Sequence, residues 1–256
     1  MTAATTTPLL SRWRTGLGQR ASLLALYLST TILVVLPLAA LLFQGFAREV
    51  DGKFEPSSYF LTTVLGNAGY WSAFGNTVGV ALGATIIACG IGVGLAWIIV
   101  RTNVPGKRWL EQLVVLPMFI PPFIGAFAWL LMAAPRIGIV NLPFIAQGLD
   151  GPFNVYTRLG MMWVMGIYLA PYVFLIVSSA LRNMDPTLEE AAQVSGLNGW
   201  RTAMTVTLPV MQPAILSGGI LAFVISIGLF GTPVLLGMTN HIYLITTPTF
   251  LDLQPY

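Results

Sequence analysis

Charge is what this sequence has least of. Only 8% of its 256 residues are Asp, Glu, Lys or Arg, whereas 56% are hydrophobic. Soluble domains carry about a quarter charged residues, so this chain cannot clothe a water-facing surface. Its one cysteine, Cys89, excludes an intramolecular disulfide and a cysteine-rich metal centre. Cys89 lies mid-run between Ala88 and Gly90 and reads as a small packing residue. The one histidine, His241, sits in a polar segment and reads as solvated. No His, Asp, Glu or Tyr cluster has metal-ligand spacing, so neither a metal site nor a cofactor is assigned. The phosphate-cradling pattern G-x-x-x-x-G-K-[ST] is missing too. Gly106-Lys107 is followed by Arg108, with no glycine at the required position before it. ATP hydrolysis is therefore not expected of this chain, nor is any other enzyme activity. No carboxylate, lysine or histidine falls at the centre of an apolar run, which argues against a proton-driven carrier.

What the chain does have is a series of apolar runs near the ~20 residues that cross a bilayer core. Residues 1–22 form a polar tail with Arg12, Arg14 and Arg20. Residues 23–43 are too long for a signal-peptide core, lack a cleavage site and read as a retained first span containing Pro37. Residues 44–75 are mixed and loop-like. Tyr59, Phe60, Tyr70 and Trp71 suit a stretch lying at the membrane interface. The second span, 76–100, has Gly75, Gly79 and Gly83, then Gly90 and Gly94, at four-residue spacing, which predicts a face for close helix approach. A third span, 110–134, is interrupted by Pro117, Pro121 and Pro122. Such breaks are tolerated where protein or a water-lined cavity satisfies the freed carbonyls, so these prolines are candidate pathway-lining residues. An outer loop, 135–158, leads to a fourth span, 159–181, whose central Pro171 and Tyr172 join the same candidate set. The fifth span covers 214–236. The expectation is an all-α polytopic membrane helix bundle with about five spans.

Between the fourth and fifth spans lies the most polar run of the second half, Asp185 to Pro213. Asp185-Pro186 is a helix start, and Glu189 and Glu190 fall where the helix dipole favours negative charge. Gly196 supplies the left-handed residue of a C-terminus. Asn198-Gly199 turns the chain into a second short helix, Trp200 to about Thr207, which Pro209 and Pro213 stop or reset. The prediction is a helix–turn–helix elbow at the membrane surface. With the N-terminus in the cytoplasm, eight basic residues face inside (Arg12, Arg14, Arg20, Arg101, Lys107, Arg108, Arg182, Arg201). Four face outside (Arg48, Lys53, Arg136, Arg158), as the positive-inside rule prefers. This choice puts residues 44–75 in the periplasm and the elbow in the cytoplasm.

The elbow also carries a spaced motif: Glu190-Ala191-Ala192, then Gly196, then Val206, Leu208 and Pro209. It resembles the EAA motif of permease subunits in binding-protein-dependent ABC importers, E-A-A with a glycine four positions after the second alanine and then I-x-L-P. Only the isoleucine position differs. The resemblance implies a transmembrane domain of the MetI-like type over residues 76–256, with residues 185–213 as its coupling elbow. It implies a multi-pass protein of the bacterial inner membrane that partners cytoplasmic ATPase subunits, a periplasmic solute-binding protein and a second permease half or subunit. No nucleic acid is implied. The ATPase-coupling residues carried over are Glu189, Glu190, Ala191, Ala192, Gly196, Leu208 and Pro209, with Glu190 anchoring the elbow through an ion pair or a helix end. Three segments, VRTNVPGKR, LPMFIPPFIGAFAWLL with APRIGIVN, and FVISIGLFGTPVLLG, are similar to ferric-iron-type permeases. They imply iron(III) as cargo, with thiamine, phosphonate, polyamine or another small solute as the alternative. A channel or secondary carrier, whose elbow is only a connecting loop, is the reading from another class. That permease family has six-span units, so five spans are read as the front part of a longer, duplicated permease.

Overall fold

Apolar periodicity and proline breaks give a helical architecture. The computed structural model describes residues 9–50, 53–56, 58, 62, 65–149 and 151–247. It divides into two compact units, residues 1–68 and 69–256. In the first, helix α1 spans Leu9–Phe46 and holds one apolar window of span length, Ser22–Ala40. α1 begins inside the expected tail. Two of its hydroxyls are satisfied locally: Ser29 and Thr30 both donate to the Leu26 carbonyl, at 3.0 and 2.8 Å. Where a loop was expected, β1 (Ala47–Val50) pairs antiparallel with β2 (Lys53–Pro56), Arg48 opposite Glu55. The interfacial aromatics Tyr59 and Phe60 lie outside the described residues.

The second unit is organised around one helix. α2 (Ala68–Arg101) starts earlier than expected and takes in Tyr70 and Trp71. α3 (Lys107–Val115) and a 3-10 turn, Leu116–Phe119, lead to α4 (Pro122–Ala133) across a 103° bend. The prolines cause this bend. A residue before proline is pushed from the helical to the extended region, and Ile120 and Pro121 each precede one, with ψ of 124° and 132°. Short α5 (Leu142–Ile145) follows, then α6 (Arg158–Asn183), capped by Thr157 Oγ1, which accepts the Gly160 N–H at 3.0 Å. α7 (Thr187–Val194), α8 (Gly199–Thr202), α9 (Leu208–Gly228) and α10 (Gly231–Gly237) complete the unit.

α6 is the axis of this unit, with twelve residues buried. Two core clusters stack along it. One gathers Met161, Val164 and Met165 with Val80, Ala84, Ala126 and Leu236. The other gathers Leu169, Val173, Phe174, Val177 and Leu181 with Ala88, Ala96, Ile99 and Met211. In a bilayer, helices associate through close packing rather than the hydrophobic effect, so small residues decide where they touch. Here those residues on α2 are Ala81, Ala84, Ala88, Gly92 and Ala96. A Cβ on Gly92 would lie 2.8 Å from the Ala170 carbonyl oxygen. Of the glycines expected to mediate this approach, Gly75, Gly79, Gly90 and Gly94 have no neighbour within 4 Å of an added Cβ, whereas Gly83 packs against α6, where an added Cβ would collide with the Met162 side chain. Helix phase explains the difference, because the buried stripe contains Ala84, Ala88 and Gly92, whereas Gly90 and Gly94 sit on a different face.

The segment between α4 and α6 is pinned by a buried asparagine. Asn141 Nδ2 donates to the carbonyls of Ala134 (3.0 Å) and Phe153 (2.8 Å), and its Oδ1 accepts the Phe153 N–H (3.2 Å). The segment after α10 returns to α2: Thr77 Oγ1 accepts the Ile245 N–H at 2.8 Å, and Asn76 donates to the Tyr243 carbonyl. Cys89 is half-buried against the core, and exposed His241 bonds the Tyr243 hydroxyl at 3.1 Å.

Candidate functional site

The elbow begins as local chemistry dictates. Asp185 Oδ1 accepts the Thr187 N–H at 2.9 Å, and this bond holds the carboxyl below the usual carboxylate range. α7 follows, starting one residue after Pro186. It ends on Gly196, whose φ of +90° is the left-handed conformation that glycine adopts without cost. The Gly196 N–H bonds Gln193 and the Leu197 N–H bonds Ala192, the paired closure of a Schellman turn. Asn198 Oδ1 then caps α8 by accepting the Arg201 N–H at 2.8 Å.

The expected stop at Pro209 and Pro213 does not occur. α8 passes through a π turn, Ala203–Thr207, straight into α9, so Gly199–Gly228 is one helix of span length. The fifth span thus begins well before Ala214. Proline breaks a helix because it lacks an N–H and crowds the preceding turn. Here the ladder widens just ahead of Pro209, with the Leu208 N–H bonding Ala203 five residues back, and Pro209 takes an early position of α9. Leu208 and Pro209 therefore sit, exposed, on the first turn of α9, within the span.

Inside the elbow one carboxylate makes the long-range contacts. Glu189 accepts from Arg101 Nε at 3.1 Å and from Thr207 Oγ1 at 2.6 Å. It joins α7 to the last turn of α2 and to the π turn. The side chains of Arg101 and Glu189 are 19% and 15% exposed, so both charges are largely withdrawn from solvent. Arg101 Nη2 is buried with no hydrogen-bond partner among the described residues. Glu190, the expected anchor, is exposed. Consecutive helical residues point about 100° apart, so only one of the two glutamates faces inward. Ala192 is half-buried, while Leu188, Ala191 and Val194 face outward, Val194 at 90% exposure. A second ion pair, Arg182 to Glu111 at 2.6 Å, ties the end of α6 to α3, but it is half-exposed. Neither Arg101 nor Thr207 stood out in the sequence. The charge on Arg101 at the end of an apolar run was the one available signal.

Beside this node lies an apolar cleft of about 270 Å³ between α2, the end of α6 and the π turn. Gly90, Gly94 and Trp97 form one wall, and Trp200, Met204 and Leu208 another. The candidate pathway residues occupy two places. Pro117 lies in the 3-10 turn, and Pro121 and Pro122 lie exposed at the bend, where Thr232 Oγ1 donates to the Pro122 carbonyl at 3.4 Å. Pro171 is buried within α6, and Tyr172 packs against the core.

The sequence profile of the binding-protein-dependent transport system inner membrane component matches residues 86–249. The chain belongs to this family. It is a multi-span permease subunit of an ABC importer. A probable sulfate transport system permease protein of Marchantia polymorpha is 31% identical over 206 residues, covering 80% of this chain and 67% of the relative. The molybdenum transport system permease protein ModB of Escherichia coli K12 is 30% identical over 167 residues, covering 64% of this chain and 70% of that protein. Among solved structures, a bacterial ABC transporter that imports the acidic polysaccharide alginate superposes with a TM-score of 0.67 at 21% identity, covering 93% of this chain and 82% of that one. That likeness fixes the fold.

Proposed function

We propose that the permease passes a small oxyanion of the sulfate or molybdate class, released by a periplasmic binding protein, and that α7 is its docking element for a cytoplasmic ATPase. The observation that carries the docking is the division of α7 into two faces. Glu189 is tied inward to two spans, whereas Glu190, Ala191 and Val194 are presented outward. A helix held from behind with small and apolar side chains in front is suited to another protein's groove. Pro117, Pro121 and Pro122 at the bend, with Pro171 and Tyr172 on α6, remain the candidate pathway. The arginine and lysine distribution supports a cytoplasmic N-terminus. A second permease half or subunit completes the assembly.

The oxyanion reading is supported by the two relatives, named for sulfate and molybdenum transport. Iron(III) is the second reading, favoured by the segments VRTNVPGKR and LPMFIPPFIGAFAWLL and not by those relatives. Vesicles holding the permease, its ATPase and its binding protein discriminate the two. Uptake of labelled sulfate or molybdate, with no iron(III) uptake, is expected; the reverse result replaces the cargo. Glu190→Lys and Gly196→Trp should abolish uptake and ATPase co-purification while leaving insertion intact. Wild-type uptake in both would remove α7 from the coupling path.

A further inference from the structure

Resting on the reading of α7 as the ATPase-docking element, we infer that Glu189, Arg101 and Thr207 form a permanent latch that transmits α7 movement to two spans at once. The geometry is unusual in its economy. One carboxylate accepts from the last turn of α2 at 3.1 Å and from the π turn that opens α9 at 2.6 Å. α7 has eight residues and no buried residue of its own. Apolar packing therefore cannot hold it rigidly, and the polar node is the connection that can bear load. The latch stays closed through the cycle. Opening it would leave a carboxylate and a guanidinium largely desolvated and unpaired, and Arg101 already has one nitrogen without a partner.

Thr207 is the positioning residue that gives the latch its direction. A helical threonine commonly returns its hydroxyl to a carbonyl four residues back, as Thr205 does to Arg201 at 2.7 Å. Thr207 instead spends its proton on Glu189. The π turn aids this, since its wider ladder sets Thr207 apart from the regular α-helical register. Displacing α7 thus pulls on the start of α9 directly, and on the end of α2 through Arg101.

The test uses the full permease in a Cys89→Ser background with a reporter cysteine at Gly228, an exposed position at the far end of α9. The permease is reconstituted with its ATPase subunits, and the reporter's labelling rate is read with and without a non-hydrolysable ATP analogue. Thr207→Val replaces the hydroxyl with a methyl group and so removes the bond to Glu189. It should leave ATPase co-purification unchanged and reduce the nucleotide-dependent change in labelling by about fivefold or more, the lower end of coupling between linked sites. Thr207→Ser should restore it. A wild-type labelling response in Thr207→Val, or loss of co-purification in that variant, overturns the latch. Failure of the docking reading looks different: Val194→Asp on the outward face would then co-purify as well as wild type, whatever Thr207 does.

Discussion

At Gly92 a single hydrogen atom sets the distance between two helices. An added Cβ would lie 2.8 Å from both the Ala170 oxygen and Val173 Cβ, and 3.0 Å from the Phe174 nitrogen, contacts that backbone cannot yield cheaply. Gly92→Ala should therefore destabilise the permease by about 1–3 kcal/mol. Gly90→Ala and Gly94→Ala meet open space and should be neutral or stabilising by up to about 1 kcal/mol. Thermal unfolding in detergent checks all three. Asp185 gives a pH dependence. Its folded pKa is depressed, so the cap contributes above the unfolded pKa and is lost as pH falls through the folded value. The protection of the Thr187 amide hydrogen, the ratio of its intrinsic to its observed exchange rate at the same pH, should fall on acidification, and Asp185→Asn should remove that dependence. Residues such as Asp185, Gly196 and Asn198 were legible because their partners lie within a few positions. Glu189 was named for ATPase coupling, but its inward pairing was not legible, because its partners lie 88 and 18 residues away. Sequence spacing marks a motif without saying which of two adjacent glutamates turns inward.

Prolines behave differently from one element to the next. Pro121 and Pro122 break the third span as expected, because two successive pre-proline residues are driven extended. Pro209 and Pro213 do not stop their helix. Pro209 takes an early α9 position where the π turn has already widened the ladder, and Pro213 costs one hydrogen bond to the Pro209 carbonyl. The sequence has no marker for a π turn, so the elbow's second helix read as separate from the span it begins. Replacing both Pro121 and Pro122 with alanine should let α3 and α4 straighten toward one helix. Insertion should persist and uptake should fall by at least about tenfold, measured in the vesicle assay. Among the described residues the structure holds four long apolar helices and one pair bent by 103°, so a count of four to five spans was readable from run lengths.

For the whole molecule, the class and family were readable from composition and the elbow motif, whereas the cargo was not. Span-forming residues are chosen by lipid and by packing, and both are indifferent to the solute. The branch-level segments pointed to iron(III), while the relatives carry the names of sulfate and molybdenum permeases. Sidedness has a direct check: with the N-terminus inside, a cysteine at Thr187 should label only from the cytoplasm and one at Leu149 only from outside. Reversal would overturn the arginine-based orientation. The different directions of Glu189 and Glu190 carry a consequence for descent. Glu189 answers to Arg101 and Thr207 in the same polypeptide, so across related permeases its changes should track changes within one gene. On the proposed docking Glu190 faces the ATPase, so its changes should track a second gene. Two neighbouring codons would then record two different histories.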